Sequence, residues 1–132
     1  MICACTLQAT ATGKQPRLTD DELMTLVQKQ TFRYFWDFAH PESGLARERS
    51  NDRLEIATIG GSGFGVMAII VGVERGFITR EQGAERLLKI VEFLNKADSY
   101  HGIWAHWMDG ATGKTIPFSR KDDGADLVES AF

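Results

Sequence analysis

Residues 61–94 decide the fold, and their sequence is GSGFGVMAIIVGVERGFITREQGAERLLKIVEFL. The part before Gly76 is apolar on every side of a helix, and a helix without a polar face must be enclosed by other elements. Residues 79–82 then form the capping box Thr-Arg-Glu-Gln, which opens an amphipathic helix. Its predicted inward residues are Ala84, Leu87, Leu88, Val91 and Leu94. An enclosed helix followed by an amphipathic one predicts an all-α fold with an inner and an outer layer of helices.

Another helix is predicted before this stretch. Residues 19–22, Thr-Asp-Asp-Glu, form a capping box with acids in the first turn, where the helix dipole favours them. Apolar residues recur on two faces, so we expect this helix to be buried on two sides and to end at residues 40–44. One face has Leu23, Leu26, Val27, Tyr34 and Phe38, and the other has Phe32 and Trp36.

Two short strands are predicted after the third helix, at residues 103–107 and 114–118, around a turn-rich segment. On a strand, Trp104 and His106 share one face and Trp107 lies on the other. One tryptophan would then pack inward while the other offers a flat surface for a sugar ring, although two core tryptophans explain the pattern equally well. No metal is predicted, because His101 and His106 fall on opposite faces and no cysteine joins them.

The sequence ends in residues 122–132, DDGADLVESAF, where four carboxylates lie within eight positions. If this segment is helical, Asp122, Asp126 and Glu129 stand at i, i+4 and i+7 and project from one face. Glycoside hydrolysis needs such acids, one to protonate the leaving oxygen and one to activate water or attack the sugar carbon. We therefore take Asp126, Glu129 and Asp122 as candidate catalytic residues and expect no cofactor. The pattern does not decide between Asp126 and Glu129 as the general acid.

Two other interpretations of the acidic segment stay open. Asp122 and Asp123 can cap the start of a helix without taking part in catalysis. With Asp126 they also satisfy the D-D-x-x-D motif of prenyl-diphosphate enzymes, which binds Mg²⁺ and diphosphate. That motif lies well along a helix in those enzymes, whereas Gly124 indicates that a helix begins here.

Several motifs together resemble those of the bacterial glycoamylase-like family, which includes β-1,2-glucan hydrolases and proteins labelled glucoamylases. They are FRYFW at 32–36, GLARERS at 44–50, GGSGFG at 60–65, GIWAHW at 102–107, TGKT at 112–115, and the acidic segment. The resemblance covers nearly all of residues 18–132 in the family's order. It implies a partial (α/α)6 toroid and the hydrolysis of β-linked glucan. It also implies that Asp122, Asp126 and Glu129 line the catalytic cleft.

The candidate substrate-binding residues are Trp104, His106, Trp107 and Arg49. The aromatic groups offer surfaces for sugar rings, and the Arg49 guanidinium can donate hydrogen bonds to sugar hydroxyls, although a solvated loop charge explains it as well. The predicted partner is an oligosaccharide or polysaccharide. The net charge of −3 and the pI of 5.6 indicate no surface for nucleic acid.

A complete toroid of this kind needs more than about 300 residues, at roughly 30 residues for each helix and its loop. Because this chain has 132 residues and ends inside an apolar run, we expect the N-terminal part of a longer hydrolase. Residues 1–18 would be a tail and residues 19–132 the first part of the toroid domain. If the chain is complete, a non-catalytic glycan-binding or scaffold module is the alternative.

The N-terminal tail contains Ile2-Cys3-Ala4-Cys5, which resembles the end of a bacterial lipoprotein signal. Cys5 would be the lipidated residue, and the resemblance above also implies a periplasmic or outer-membrane location. Only four residues precede Cys5, so the charged and apolar regions of a signal are missing and a chance match explains the pattern equally well. Contact with a membrane is predicted only through this lipid.

Overall fold

In the computed structural model, the described residues are 17–51, 53–121 and 124–131. The elements are α1 (Asp20–Trp36), β1 (Ile56–Thr58), α2 (Ile59–Glu74), α3 (Arg80–Leu94), β2 (Ser99–Tyr100), β3 (Ile103–Trp104), β4 (Trp107–Asp109), β5 (Thr115–Ile116) and α4 (Leu127–Ser130). The chain is thus mostly helical with small sheets, where the sequence predicted an all-α fold with one hairpin. Among these residues, no helix combines the length and the apolar character needed to cross a lipid bilayer. Cys3, Cys5, Asp122 and Asp123 lie outside the described residues, so the predictions for them stay predictions.

Both predicted capping boxes are confirmed. At the start of α1, the Thr19 hydroxyl accepts from the Glu22 backbone N–H at 3.3 Å, and the Thr19 N–H donates to the Glu22 carboxylate at 2.8 Å. Thr79 and Gln82 make the equivalent pair of bonds at the start of α3. These helices begin where the sequence predicts because each box satisfies N–H groups that a first turn leaves unpaired.

The core lies where α2, α3 and the sheet meet. Its buried residues are Leu45, Ala57, Ile59, Ile69, Ile90 and Met108. Close helix packing depends on two glycines: a Cβ at Gly83 would lie 2.7 Å from the Val73 side chain, and a Cβ at Gly72 would lie 2.4 Å from the Phe32 ring. Because neither position has a Cβ, α2 can approach both α1 and α3 at these points.

Three apolar faces that were predicted to be buried are exposed in the described residues. The face of α2 that was expected to be enclosed is exposed at Phe64, Met67, Ile70 and Val71, with Phe64 reaching 73%. The first half of α1 is exposed at Leu23, Leu26 and Val27, and α3 is exposed at Ala84, Leu88 and Val91. Helix α3 instead buries Gly83 and Ile90, because its glycine allows the closest approach to α2. Helical periodicity identifies an apolar side, but it does not say which edge of that side meets a neighbour.

The strand predicted at residues 103–107 is divided into two. β3 pairs with β2, whereas β4 is the central strand of an antiparallel sheet with the order β1–β4–β5. The β4–β5 pair confirms a hairpin around the predicted turn. Because the chain leaves one sheet at Ala105 and enters the other at Trp107, Trp104 and His106 do not share a strand face as predicted. Trp104 packs against the core, and His106 lies on the loop between the two sheets.

We expect Gly72→Ala to lower the free energy of unfolding by about 1–3 kcal/mol, the usual cost of overpacking, because the added methyl group would overlap the Phe32 ring. Gly65→Ala is the matched control, since it makes the same exchange in the same helix and its Cβ would lie 3.3 Å from the Phe35 ring. Urea unfolding of the protein expressed from its complete gene measures both. Equal stability of the two variants would contradict this account of the packing.

Candidate active site

Distant segments of the chain meet at the N-terminus of α2. The Ile59 N–H donates to the backbone carbonyl of His106 at 3.2 Å, and the Gly60 N–H donates to the Glu129 carboxylate at 3.2 Å. The N-cap residue Thr58 makes no side-chain capping bond, and the first turn of α2 contains no acid. The helix therefore takes acceptors for its first N–H groups from elsewhere, and this brings His106 and Glu129 to the same point.

The acidic segment is anchored on the backbone of Trp104. The Asp126 N–H donates to the Trp104 carbonyl at 2.7 Å, and the Trp104 N–H donates to the Ser130 hydroxyl at 3.1 Å. An isolated β-bridge joins Ala105 and Ala125. These bonds fix α4 beside His106, although the helix has only four residues.

His106 lies between two carboxylates. Its Nδ1 atom is 3.1 Å from Oδ2 of Asp126 and 3.0 Å from Oε2 of Glu129. About a quarter of each of the three side chains is exposed, so the cluster is partly shielded from water and still accessible to a ligand. The structure thus brings together two of the three predicted catalytic residues and one of the predicted substrate-binding residues.

Asp126 and Glu129 meet by a different geometry from the predicted one. Asp126 is the extended N-cap of α4, with φ −105° and ψ 100°, and does not belong to a helix running through the segment. Its carboxylate turns back and accepts a bond from the Glu129 N–H at 3.0 Å, which is the ordinary action of an N-cap side chain. The prediction of one helical face is therefore wrong for this pair, and Asp126 is the residue that caps α4.

The surroundings of Asp126 favour its charged form. The pKa of its carboxyl group lies below the ordinary value of 3.8, chiefly because of the hydrogen bond from the Glu129 backbone N–H. The neighbouring His106 side chain lowers this pKa further, by its hydrogen bond and by its charge, while partial burial opposes the shift. Asp126 is therefore a carboxylate at neutral pH, which suits a base, a nucleophile or an electrostatic stabiliser better than a proton donor.

An aromatic surface borders His106. The Phe118 ring lies 4.5 Å from the imidazole and 4.8 Å from the Trp107 ring, measured between centroids. Phe118 is 49% exposed. Trp104 instead packs against the core and donates its indole N–H to the Leu94 carbonyl at 3.1 Å, and with Glu129 it borders a separate small pocket of about 130 Å³. The surface beside the carboxylates is thus formed by Trp107 and Phe118.

Arg49 lies at the edge of this site, where its guanidinium contacts the neighbouring Glu48. Its Nη2 atom donates to the Glu48 carboxylate at 2.7 Å. Hydrogen bonding to Arg49 is the main cause that holds the pKa of Glu48 below its ordinary value, and the charges of Arg53 and His106 add to it. A third carboxylate therefore lies close enough to interact with His106. Glu48 and Phe118 were not among the site residues predicted from the sequence.

An open apolar pocket of about 550 Å³ lies on the other side of Glu129. Its lining residues are Gly60, Gly61, Gly63, Phe64, Met67, Val128 and Glu129. Phe64 and Met67 of this wall belong to the exposed apolar face of α2. Glu129 therefore borders this pocket and also contacts His106.

His106, Asp126 and Glu129 are also a set of described residues that could hold a metal ion, since one ligand atom of each lies within 4.8 Å of the others. No metal was predicted from the sequence, because neither His101 nor a cysteine was expected to lie beside His106. The same distances are those of an imidazole that is hydrogen-bonded to Asp126 and lies within ion-pair distance of Glu129, an arrangement that needs no ion.

The lowered pKa of Asp126 predicts a pH-dependent contribution to stability. A carboxylate with a depressed folded-state pKa stabilises the fold above its unfolded-state value, and this contribution is lost as the pH falls through the folded-state value. We expect Asp126→Asn, which retains an N-cap side chain, to destabilise the protein most at neutral pH and least below the ordinary value of 3.8. Urea unfolding at about pH 7 and about pH 3 measures this, and an equal difference at both would contradict it.

Comparison with known proteins shows close similarity over most of the chain. No protein-family model matches it. The chain is 82% identical to a provisionally named glucoamylase from Bacteroides uniformis over 89% of its own length, with a TM-score of 0.86 to that crystal structure. It is 54% identical over 87% of its length to an endo-β-1,2-glucanase from Chitinophaga pinensis, with a TM-score of 0.83. It is also 54% identical over 87% of its length to an exo β-1,2-glucooligosaccharide sophorohydrolase from Parabacteroides distasonis.

The chain spans only part of each of these proteins. It covers 29% of the Bacteroides uniformis and Chitinophaga pinensis chains and 16% of the Parabacteroides distasonis protein. Identity of 54–82% across nearly nine-tenths of the chain confirms the resemblance that the motifs indicated. The chain is a homologue of one part of the bacterial glucoamylase-like proteins and β-1,2-glucanases.

Proposed function

We propose that the protein containing this chain hydrolyses β-1,2-linked glucan, with water as the co-substrate. The observation that carries the proposal is the cluster of Asp126, His106 and Glu129 beside an aromatic surface, in a chain 54% identical to two enzymes named for β-1,2-glucan hydrolysis. One of those names describes endo attack and the other describes exo attack. We therefore propose the linkage that they share and not the mode of attack.

The two carboxylates suit different roles in the reaction. Hydrolysis needs an acid that protonates the leaving oxygen and a carboxylate that activates water or attacks the anomeric carbon. Asp126 suits the second task, because its hydrogen bonds favour the ionised form. Glu129 borders the apolar pocket and is the candidate that contacts the sugar from that side.

The spacing of the two carboxylates limits the mechanism. Their oxygens nearest to His106 lie within 4.8 Å of each other, whereas the two carboxyl groups of an inverting enzyme are about 6.5–9.5 Å apart. Asp126 and Glu129 are therefore too close to be the complete pair of an inverting enzyme. If the reaction inverts the anomeric centre, we infer that the opposing acid comes from outside the described residues.

Sugar recognition is the proposed role of the aromatic surface. A pyranose ring presents weakly apolar C–H groups, which pack on flat aromatic faces. Trp107 and Phe118 offer such faces next to His106, and Arg49 supplies guanidinium donors at the edge through its contact with Glu48. This arrangement supports the predicted roles of Trp107, His106 and Arg49 and adds Phe118 to them.

We also infer that the three long helices form part of an (α/α)6 toroid. The exposed apolar faces of α1 and α2 support this inference, because inner helices of a toroid are covered by neighbouring helices. The matched crystal structures show that such a domain would be longer than this chain, which covers 29% of the Bacteroides uniformis and Chitinophaga pinensis chains. The alternative of a prenyl-diphosphate enzyme is disfavoured, because Asp126 precedes a helix of four residues instead of lying along a long one.

We expect Asp126→Asn and Glu129→Gln each to reduce kcat by at least about a hundredfold, the lower range for loss of a general acid or base. The matched control is Glu92→Gln, which neutralises an exposed carboxylate on α3 and should retain the wild-type rate. The measurement is the release of reducing sugar from β-1,2-glucan by the protein expressed from its complete gene. Wild-type rates in both site variants would contradict the assignment.

We expect Trp107→Ala to weaken binding of β-1,2-linked gluco-oligosaccharides by up to about tenfold, the range of one lost aromatic contact. Tyr100→Ala is the control, because Tyr100 is an exposed aromatic residue on β2 whose ring contacts His101 and lies outside the aromatic surface. Isothermal titration measures the affinities. Equal affinities of the two variants would contradict the role of Trp107, and binding by wild type without any sugar release would favour the non-catalytic module.

A further inference from the structure

We propose that Gly60 is a positioning residue for Glu129. Its backbone N–H holds the carboxylate, and its lack of a side chain leaves the space that the carboxylate fills. The inference rests on the proposed hydrolase function and deepens it, because it explains how Glu129 is fixed at the site.

The first line of evidence is steric. A Cβ at position 60 would lie 2.7 Å from Cδ of Glu129, 2.8 Å from Oε1 and 3.0 Å from Oε2. Contacts this short essentially never occur, so any other residue at position 60 would displace the carboxylate or the helix. The backbone does not itself require glycine, because Gly60 lies within α2 and is not one of the residues with positive φ. The adjacent carboxylate is thus the reason for a glycine at this position.

The second line of evidence is the direction of the N–H group. Gly60 is the second residue of a helix of 16 residues, so its N–H has no acceptor within the helix. Glu129 supplies that acceptor, and the positive end of the helix dipole favours a negative charge there. Since α2 has neither a first-turn acid nor a capping bond from Thr58, Glu129 provides the charge from another element.

Two contacts with Glu129 also orient its carboxylate. The Gly60 N–H and Nδ1 of His106 both contact Oε2, at 3.2 and 3.0 Å. Within the described part of the chain, no hydrogen bond is present at Oε1, so this oxygen is the one available to a sugar hydroxyl or to water. A carboxylate fixed at one oxygen and open at the other is oriented for reaction, and a displacement of about 1 Å can reduce a rate by roughly a hundredfold.

The test is Gly60→Ala in the protein expressed from its complete gene. We expect kcat for β-1,2-glucan to fall by about ten- to a hundredfold while KM changes by less than about threefold, because the methyl group displaces Glu129 and leaves the aromatic surface intact. Gly65→Ala is the matched control, since it makes the same exchange in the same helix against Phe35 and should retain the wild-type kcat.

A stability cycle distinguishes this contact from a general effect on folding. Alanine favours helices over glycine, so in a Glu129→Ala background, where the space is open, Gly60→Ala should raise the melting temperature. In the wild-type background the methyl group must displace the Glu129 carboxylate, so the same substitution should raise it less or lower it. This difference between the two backgrounds can be measured even where activity is too low to detect.

The outcomes separate this inference from the proposed function. Full kcat in Gly60→Ala, together with an inactive Glu129→Gln, would overturn the positioning role and leave the hydrolase assignment in place. Equal stability effects of Gly60→Ala in the two backgrounds would also overturn it. If wild type fails to hydrolyse the glucan, the proposed function is wrong, and Gly60 then has no role in positioning a catalytic group. The stability cycle still decides whether Gly60 and Glu129 are in contact.

Discussion

The first N–H groups of α2 need hydrogen-bond acceptors, and the segments that supply these acceptors are held in place by the bonds. Thr58 supplies none through its side chain, so the His106 carbonyl and the Glu129 carboxylate do. A buried N–H left unpaired costs about 1–3 kcal/mol, which makes these bonds strong constraints on the segments that provide them. The loop between the two sheets and α4 are consequently held against the same helix end, and their side chains form the candidate site there.

Glycine allows α2 to serve as this central element. The helix has five glycines in 16 residues, and each is expected to cost about 0.5–1 kcal/mol relative to alanine in a helix interior. Contacts offset this loss: Gly65 and Gly72 lie against the rings of Phe35 and Phe32 in α1, and Gly60 lies against the Glu129 carboxylate. The glycine-rich sequence at the start of α2, which resembled a family motif, thus allows other segments to approach this helix closely.

Local interactions were predictable from the sequence, and long-range ones were not. The capping boxes of Thr19 and Thr79 join residues three positions apart, so the local sequence pattern alone predicts these hydrogen bonds. Leu88 of α3 was predicted to be buried and is exposed, because helical periodicity does not show which part of an apolar face contacts another element. Asp126 and Glu129 were correctly predicted to lie together but for the wrong reason, since the N-cap conformation of Asp126 replaces the helical spacing. His106 joins them through backbone bonds between segments far apart in sequence, from the Asp126 N–H to the Trp104 carbonyl and from the Ile59 N–H to the His106 carbonyl.

The fold and the candidate site share the same hydrogen bonds, and this changes what substitutions at the site mean. Replacing Glu129 with alanine removes a carboxylate and also removes the acceptor that caps α2, so a loss of activity in that variant mixes chemistry with stability. Glutamine keeps an oxygen that can accept from the Gly60 N–H and removes only the charge. Asparagine at Asp126 likewise retains an N-cap side chain while it removes the carboxylate. Amide substitutions therefore test the role of charge at this site. Substitutions by alanine also remove the hydrogen bonds that hold the helix, the sheets and the acidic segment together.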